Sequence, residues 1–158
     1  MKNILVPLIF LLLACGNERK IMFQAMDFHC IDSCIQNNNI TVFCYIDSAD
    51  CTVCSMQWLN LWLHYLNELK KYDTGIALIV NNTDEYVVKN YLTHLQLDFP
   101  VVFDKSSMIK QKNAIVLNHH SIFAVNENKE VVWLGSPIKN EDTWNLFIKM
   151  LQRHSKTI

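Results

Sequence analysis

The chain has 158 residues, 51% of them hydrophobic, and a formal net charge of −1 at pH 7. That length fits one domain with a full core, and the near-neutral charge without a basic patch argues against a nucleic-acid partner. Glycine and proline number three each, which excludes a low-complexity or disordered chain, and there is no internal repeat.

The amino terminus has the form of an export signal. Lys2 supplies the positive end, and Ile4 to Ala14 is an apolar run broken only by Pro7, too short for a stable bilayer span. It closes in Leu12-Leu13-Ala14-Cys15-Gly16, which resembles the lipobox of bacterial lipoproteins. The resemblance implies cleavage before Cys15, diacylglycerol on its sulfur and acylation of the new amino group. Several acyl chains, at about 0.8 kcal/mol per buried CH₂, would hold the protein on a membrane. The competing reading is a plain secretory signal with an incidental cysteine. The expected organisation is a signal peptide over 1–14, a lipid-anchored tether over 15–24 and a working domain over 25–158 with an N-terminal helical extension. That domain would lie outside the cytoplasm, in the cell envelope, where disulfides persist.

From there the pattern runs as follows. A helical stretch is expected from about Ala25 to Gln36. Ile40–Ile46 is a continuous apolar, β-branched and aromatic run, as in strands buried on both faces. Asp47-Ser48-Ala49-Asp50 is a short polar loop. A helix is predicted from about Cys51 to Lys71, with Cys54, Trp58, Leu61, Tyr65, Leu66 and Leu69 on its apolar side. Gly75–Val80 is a second buried strand. Thr83 is the expected N-cap of a helix ending near Leu95. Phe99–Phe103 is a short extended piece, followed by Asp104–Ser107 and one helical turn to Lys112. Ser121–Val125, the turn Asn126–Lys129 and Glu130–Leu134 form a hairpin. Gly135-Ser136-Pro137 ends it. A last helix is predicted from about Glu141 to Arg153, with Trp144, Phe147, Ile148 and Leu151 inward. Strands joined through helices run parallel, and the hairpin adds an antiparallel edge. The fold class is α/β, a mixed sheet with helices on both faces.

Cys51-Thr52-Val53-Cys54 stands where the first strand pattern gives way to a helix pattern, at the carboxyl end where α/β sheets place ligands. A thiol at a helix start meets unpaired N–H groups and the positive end of the helix dipole, which favour a thiolate. A second thiol about one turn on can close a disulfide with it. Of the other cysteines, Cys44 lies within a strand and is expected to be a buried, inert thiol. Cys30 and Cys34 would share a helix face, read as small apolar packing residues before extra redox or metal-binding thiols. His64 and His94 show no ligand spacing. Trp58, Trp62, Trp133 and Trp144 read as core or groove walls.

From about Asn37 onward the chain resembles the thioredoxin superfamily, nearest in pattern to exported thiol–disulfide oxidoreductases and redoxin-like proteins. The strand-loop-Cys51-x-x-Cys54-helix unit, Phe99-Pro100-Val101-Val102-Phe103-Asp104 and the hairpin Ser121–Leu134 carry the resemblance. It implies a three-layer sandwich, Cys51 as nucleophile, Cys54 as resolving thiol, and a disulfide-bearing or dithiol protein as substrate, with a redox-active disulfide and no other cofactor. Two departures bear on the site. His120 falls where the family carries a cis-proline, and a non-proline cis bond costs about 3–4 kcal/mol, so the substrate groove is expected to differ. Asp50 precedes Cys51 where the family often has tryptophan, and a carboxylate there works against the thiolate. Other readings are a Cu or Zn site built by Cys51, Cys54 and His120, with His119 nearby, a peroxidase suggested by Ser48-x-x-Cys51, and an inert binding module. The peroxidase reading lacks a fixed cation, since the only arginines are Arg19 and Arg153.

Overall fold

A computed structural model describes residues 20–24, 29–47, 56, 59–81, 84–119 and 121–155. The apolar runs form the sheet. β1 (Ile40–Ile46) is buried along its whole length, and β2 (Thr74–Val80) nearly so. With β3 (Val101–Phe103), β4 (Ile122–Asn126) and β5 (Val131–Leu134) they make a five-stranded sheet of order β3-β2-β1-β4-β5. β1, β2 and β3 are parallel, while β4 runs antiparallel to both β1 and β5. This is the mixed sheet expected from the sequence, with the hairpin forming the β5 edge.

Side chains alternate across β1 and so feed two cores. On one face Ile40, Val42, Cys44 and Ile46 meet α2 (Leu59–Leu63), α3 (Leu66–Lys70), α4 (Glu85–His94) and α7 (Glu141–His154), through Trp62, Leu69, Val88, Leu92 and Phe147. On the other, Phe43 and Tyr45 meet α1 (His29–Gln36), α5 (Met108–Lys112) and α6 (Ala114–Leu117), through Ile31, Ile35, Ile109 and Val116. The result is three layers, helix–sheet–helix.

Two expectations need correction. The single helix from Cys51 to Lys71 is broken. His64 N–H donates to Leu61 and Tyr65 N–H to Trp62, three-residue steps that end α2 before α3 begins. The break turns Leu59, Trp62 and Leu69 into the core and leaves Leu61, assigned to the apolar side, 53% exposed. Tyr65 meets Trp144 of α7, ring centroids 4.4 Å apart. The cap of α4 is Asp84, whose carboxylate accepts the Tyr86 N–H at 2.8 Å. Thr83 lies outside the described residues.

Lys20–Gln24, the last five residues of the stretch expected to be a tether, pack on the domain. Phe23 N–H donates to Lys129 O at 2.7 Å and Val131 N–H to Ile21 O at 2.8 Å, so the segment pairs with the hairpin. Phe23 is buried against Phe43 and Phe123. Gln24 exchanges two hydrogen bonds with the Asn113 side chain, and Lys20 pairs with Glu130. An alternating Lys-Ile-Met-Phe-Gln stretch places one large apolar side chain inward, and that burial docks it.

Candidate functional site

The three parallel strands end in register. Ile46 pairs with Val80 and Val80 with Phe103. The next residue of each strand is polar, so Asp47, Asn81 and Asp104 stand in a row across the carboxyl end of the sheet. The backbone carries the row one step further: Asn81 N–H donates to Ile46 O at 2.9 Å and Asp104 N–H to Val80 O at 2.8 Å. By strand alternation these residues share the face of Tyr45, the face covered by α5.

α5 closes over the row. Ser107, in the left-handed region at φ 56°, turns the chain into the helix, and its hydroxyl donates to Asn81 Oδ1 at 3.0 Å. Asp104 is fully buried. Its Oδ2 accepts the Lys110 N–H at 3.2 Å, which supplies an acceptor to the first turn of α5. Its Oδ1 is buried and has no hydrogen-bond partner among the described residues. The Lys110 ammonium crosses to the Asp47 carboxylate, and Asn81 Nδ2 donates to the same carboxylate at 3.4 Å. Tyr45 is 5% exposed. Its hydroxyl approaches the Asn81 side chain, and among the described residues it makes no hydrogen bond of normal geometry. Burial pushes the Tyr45 phenol up, the charges of Asp47 and Asp104 push it further, and Asn81 pulls it partly back.

This network joins β1, β2, β3 and α5 at the root of the segment that carries the cysteines. Asp47 precedes Cys51 by four residues, and Met56, helical and fully buried, follows Cys54 by two. Cys51, Cys54, Asp50, His120 and Cys15 themselves lie outside the described residues, so the metal alternative built on Cys51, Cys54 and His120 lies outside them too. His119 is exposed and follows α6, its N–H on Val116 O. Cys44 is buried, and burial pushes its thiol well up, as expected of an inert core cysteine. Cys34 is partly exposed at the other end of the sheet, on a cavity of about 490 Å³ lined also by Thr41, Thr74, Gly75, Leu97 and Phe99.

Sequence reasoning passed over Asn81, Lys110 and the role of Asp47 and Asp104. The signal was there in part: each parallel strand's apolar run stops at a single polar residue, Asp47, Asn81 or Asp104.

No protein-family model matches the chain, and no curated protein matches it in sequence. Solved structures do match it in shape. The thioredoxin domain of a thiol–disulfide oxidoreductase from Bacteroides vulgatus superposes with a TM-score of 0.57 at 16% identity, over 74% of this chain and 81% of that one. A thiol:disulfide interchange protein from a Bacteroides species gives 0.56 at 13% identity, over 77% and 78%. A secreted disulfide oxidoreductase from Mycobacterium tuberculosis gives 0.50 at 10% identity, over 77% and 85%. The chain has a thioredoxin-like fold. In that thioredoxin-like frame the row of Asp47, Asn81 and Asp104 lies at the carboxyl ends of the parallel strands, the end of the sheet where α/β folds hold ligands.

Proposed function

We propose that the protein is a thiol–disulfide oxidoreductase, held on a membrane through a lipidated Cys15 and working outside the cytoplasm, that exchanges disulfides through Cys51 and Cys54. One observation carries the reading. The Cys51-x-x-Cys54 segment joins the carboxyl end of β1 to the helical layer in a thioredoxin-like fold, the sheet end at which such a pair meets a substrate. The matching folds named as disulfide oxidoreductases, one of them secreted, support it.

The chemistry follows from the two thiols. Cys51 loses its proton to water, and its thiolate attacks one sulfur of a substrate disulfide. The substrate S–S bond breaks, a Cys51–substrate mixed disulfide forms, and the first substrate sulfur leaves as a thiolate and takes up a proton. Cys54 then loses its proton and attacks Cys51 Sγ, which expels the second substrate thiolate. Two electrons have passed to the substrate, and the protein holds a Cys51–Cys54 disulfide. Every step reverses when the protein begins oxidised.

The test is exchange with a disulfide-bridged protein, using dithiothreitol as donor. Cys51→Ser is expected to abolish turnover. Cys54→Ser is expected to trap a mixed disulfide that a reductant releases. Full activity in Cys51→Ser would overturn the assignment.

A further inference from the structure

We infer that the amino end of the sheet carries a binding site of its own: a gap beside β2 that takes an extended, uncharged segment of a partner protein as an added strand. The site lies at the end of β1 and β2 opposite Asp47, and it stands independently of the exchange reading.

The gap follows from the strand lengths. β2 has seven residues and β3 three. β1 pairs with β2 along its whole length, whereas β3 pairs only with Leu78, Ile79 and Val80. The first half of β2 therefore has a free edge. Its cause is in the sequence. Leu78 N–H donates to Pro100 O at 2.8 Å, which fixes the register of the two strands. One step back in that register, Ile76 C=O would accept from the N–H of residue 100, and Ile76 N–H would donate to the carbonyl of Asp98. Proline has no N–H to give, and the ladder stops there.

Asn81 N–H donates to Ile46 O, so the odd-numbered residues of β2 turn their main-chain groups to β1. The even-numbered ones, Ile76 among them, turn theirs to the free edge. Ile76 is 7% exposed. Among the described residues neither its N–H nor its C=O finds a hydrogen-bond partner. Main-chain groups withdrawn from water to this degree are normally paired, which makes Ile76 a donor and acceptor held ready for another chain.

The free edge opens into the cavity of about 490 Å³, a size within the range of about 300–1,000 Å³ that holds small ligands. Its two sides differ. Toward α3 and the loop after α4 the wall is apolar, built by Leu66, Leu69, Leu97 and Phe99. Toward α1 it is small and polar, with Cys34 and Thr41. An added strand alternates its side chains between the two faces, so these walls fit an apolar residue opposite Ile76 with a small polar residue on either side. Its main chain would close the bonds that Pro100 leaves open, the mode by which an extended peptide lengthens a sheet. The charged residues of the lining are Lys70 and Asp98, one of each sign and both exposed, which suits a segment without charge.

The probe is the blocked peptide acetyl-Ser-Leu-Ser-amide, titrated to about 10 mM into isotope-labelled full-length protein. NMR follows the backbone amide of Ile76. A saturable shift of that amide, with slowed hydrogen exchange, is expected. Leu66→Trp fills the apolar side of the cavity and is expected to weaken binding at least about tenfold. The same peptide methylated on its residue N–H groups keeps its side chains and loses its donors; it is expected not to bind, which keeps the inference testable if Leu66→Trp fails to fold. No saturable shift at Ile76, equal binding of the methylated peptide, or undiminished binding in folded Leu66→Trp would overturn the inference. An Ile76 shift that follows protein concentration alone would also overturn it, because the occupant would then be a second copy of this chain. Cys51→Ser is expected to bind the peptide as the parent does, so failure here is distinct from failure of the exchange reading.

Discussion

Replacing Phe23 with alanine tests whether the Lys20–Gln24 segment belongs to the domain. The ring is 2% exposed, and its centroid lies 5.1 Å from Phe43 and 5.3 Å from Phe123, both fully buried. A buried Phe→Ala change costs about 3–5 kcal/mol when the cavity cannot collapse. Here the segment is a short extended piece held by two backbone bonds to the hairpin and the paired Gln24–Asn113 bonds, so it can relax inward. The expected loss is therefore at the low end, about 3 kcal/mol. With a urea slope of about 2 kcal/mol/M that is a fall of about 1.5 M in the unfolding midpoint, the slope unchanged. Met22→Ala is the control. Met22 is 51% exposed on the same segment, and its change should stay within about 0.5 kcal/mol. A Phe23→Ala loss below about 1 kcal/mol, or an equal loss in Met22→Ala, would refute the docking of this segment.

Two further predictions concern the sheet itself. The Tyr45 phenol is pushed up by burial first and then by Asp47 and Asp104. The unfolded chain loses that proton near pH 10 while the folded chain keeps it, so the folded-state advantage is whole below about pH 10 and is lost as pH rises beyond. Tyr45→Phe should flatten stability between about pH 10 and 11, and at pH 7 it should cost at most about 1 kcal/mol because the hydroxyl makes no hydrogen bond of normal geometry among the described residues. Urea titrations at pH 7 and across the alkaline range decide it; an undiminished alkaline slope counts against the argument. Cys44, raised by burial from 9.0, adds a slope of the same sign that both proteins share. At Gly75, a Cβ would stand 2.6 Å from Asn38 Nδ2, a side chain committed to Cys34 O at 2.7 Å. Gly75→Ala should destabilise by about 1–3 kcal/mol, and pairing it with Asn38→Ala should recover part of that; no recovery would locate the clash elsewhere.

The strands and the hairpin were legible because each is a run of apolar residues bounded by polar ones, and burial on two faces leaves no other home for Ile40–Ile46. The α2–α3 region was not. From Trp58 to Leu69 apolar residues crowd nearly every position, so periodicity cannot choose a face, and contact with Trp144 from the far end of the chain decides it. Lys20–Gln24 was too short to carry a period, and its docking depends on Phe43 and Phe123 being adjacent across β1 and β4. The row Asp47, Asn81, Asp104 was visible as punctuation after three apolar runs. Its alignment is a matter of register, which single-strand patterns do not contain, and its cation comes from 63 residues beyond Asp47.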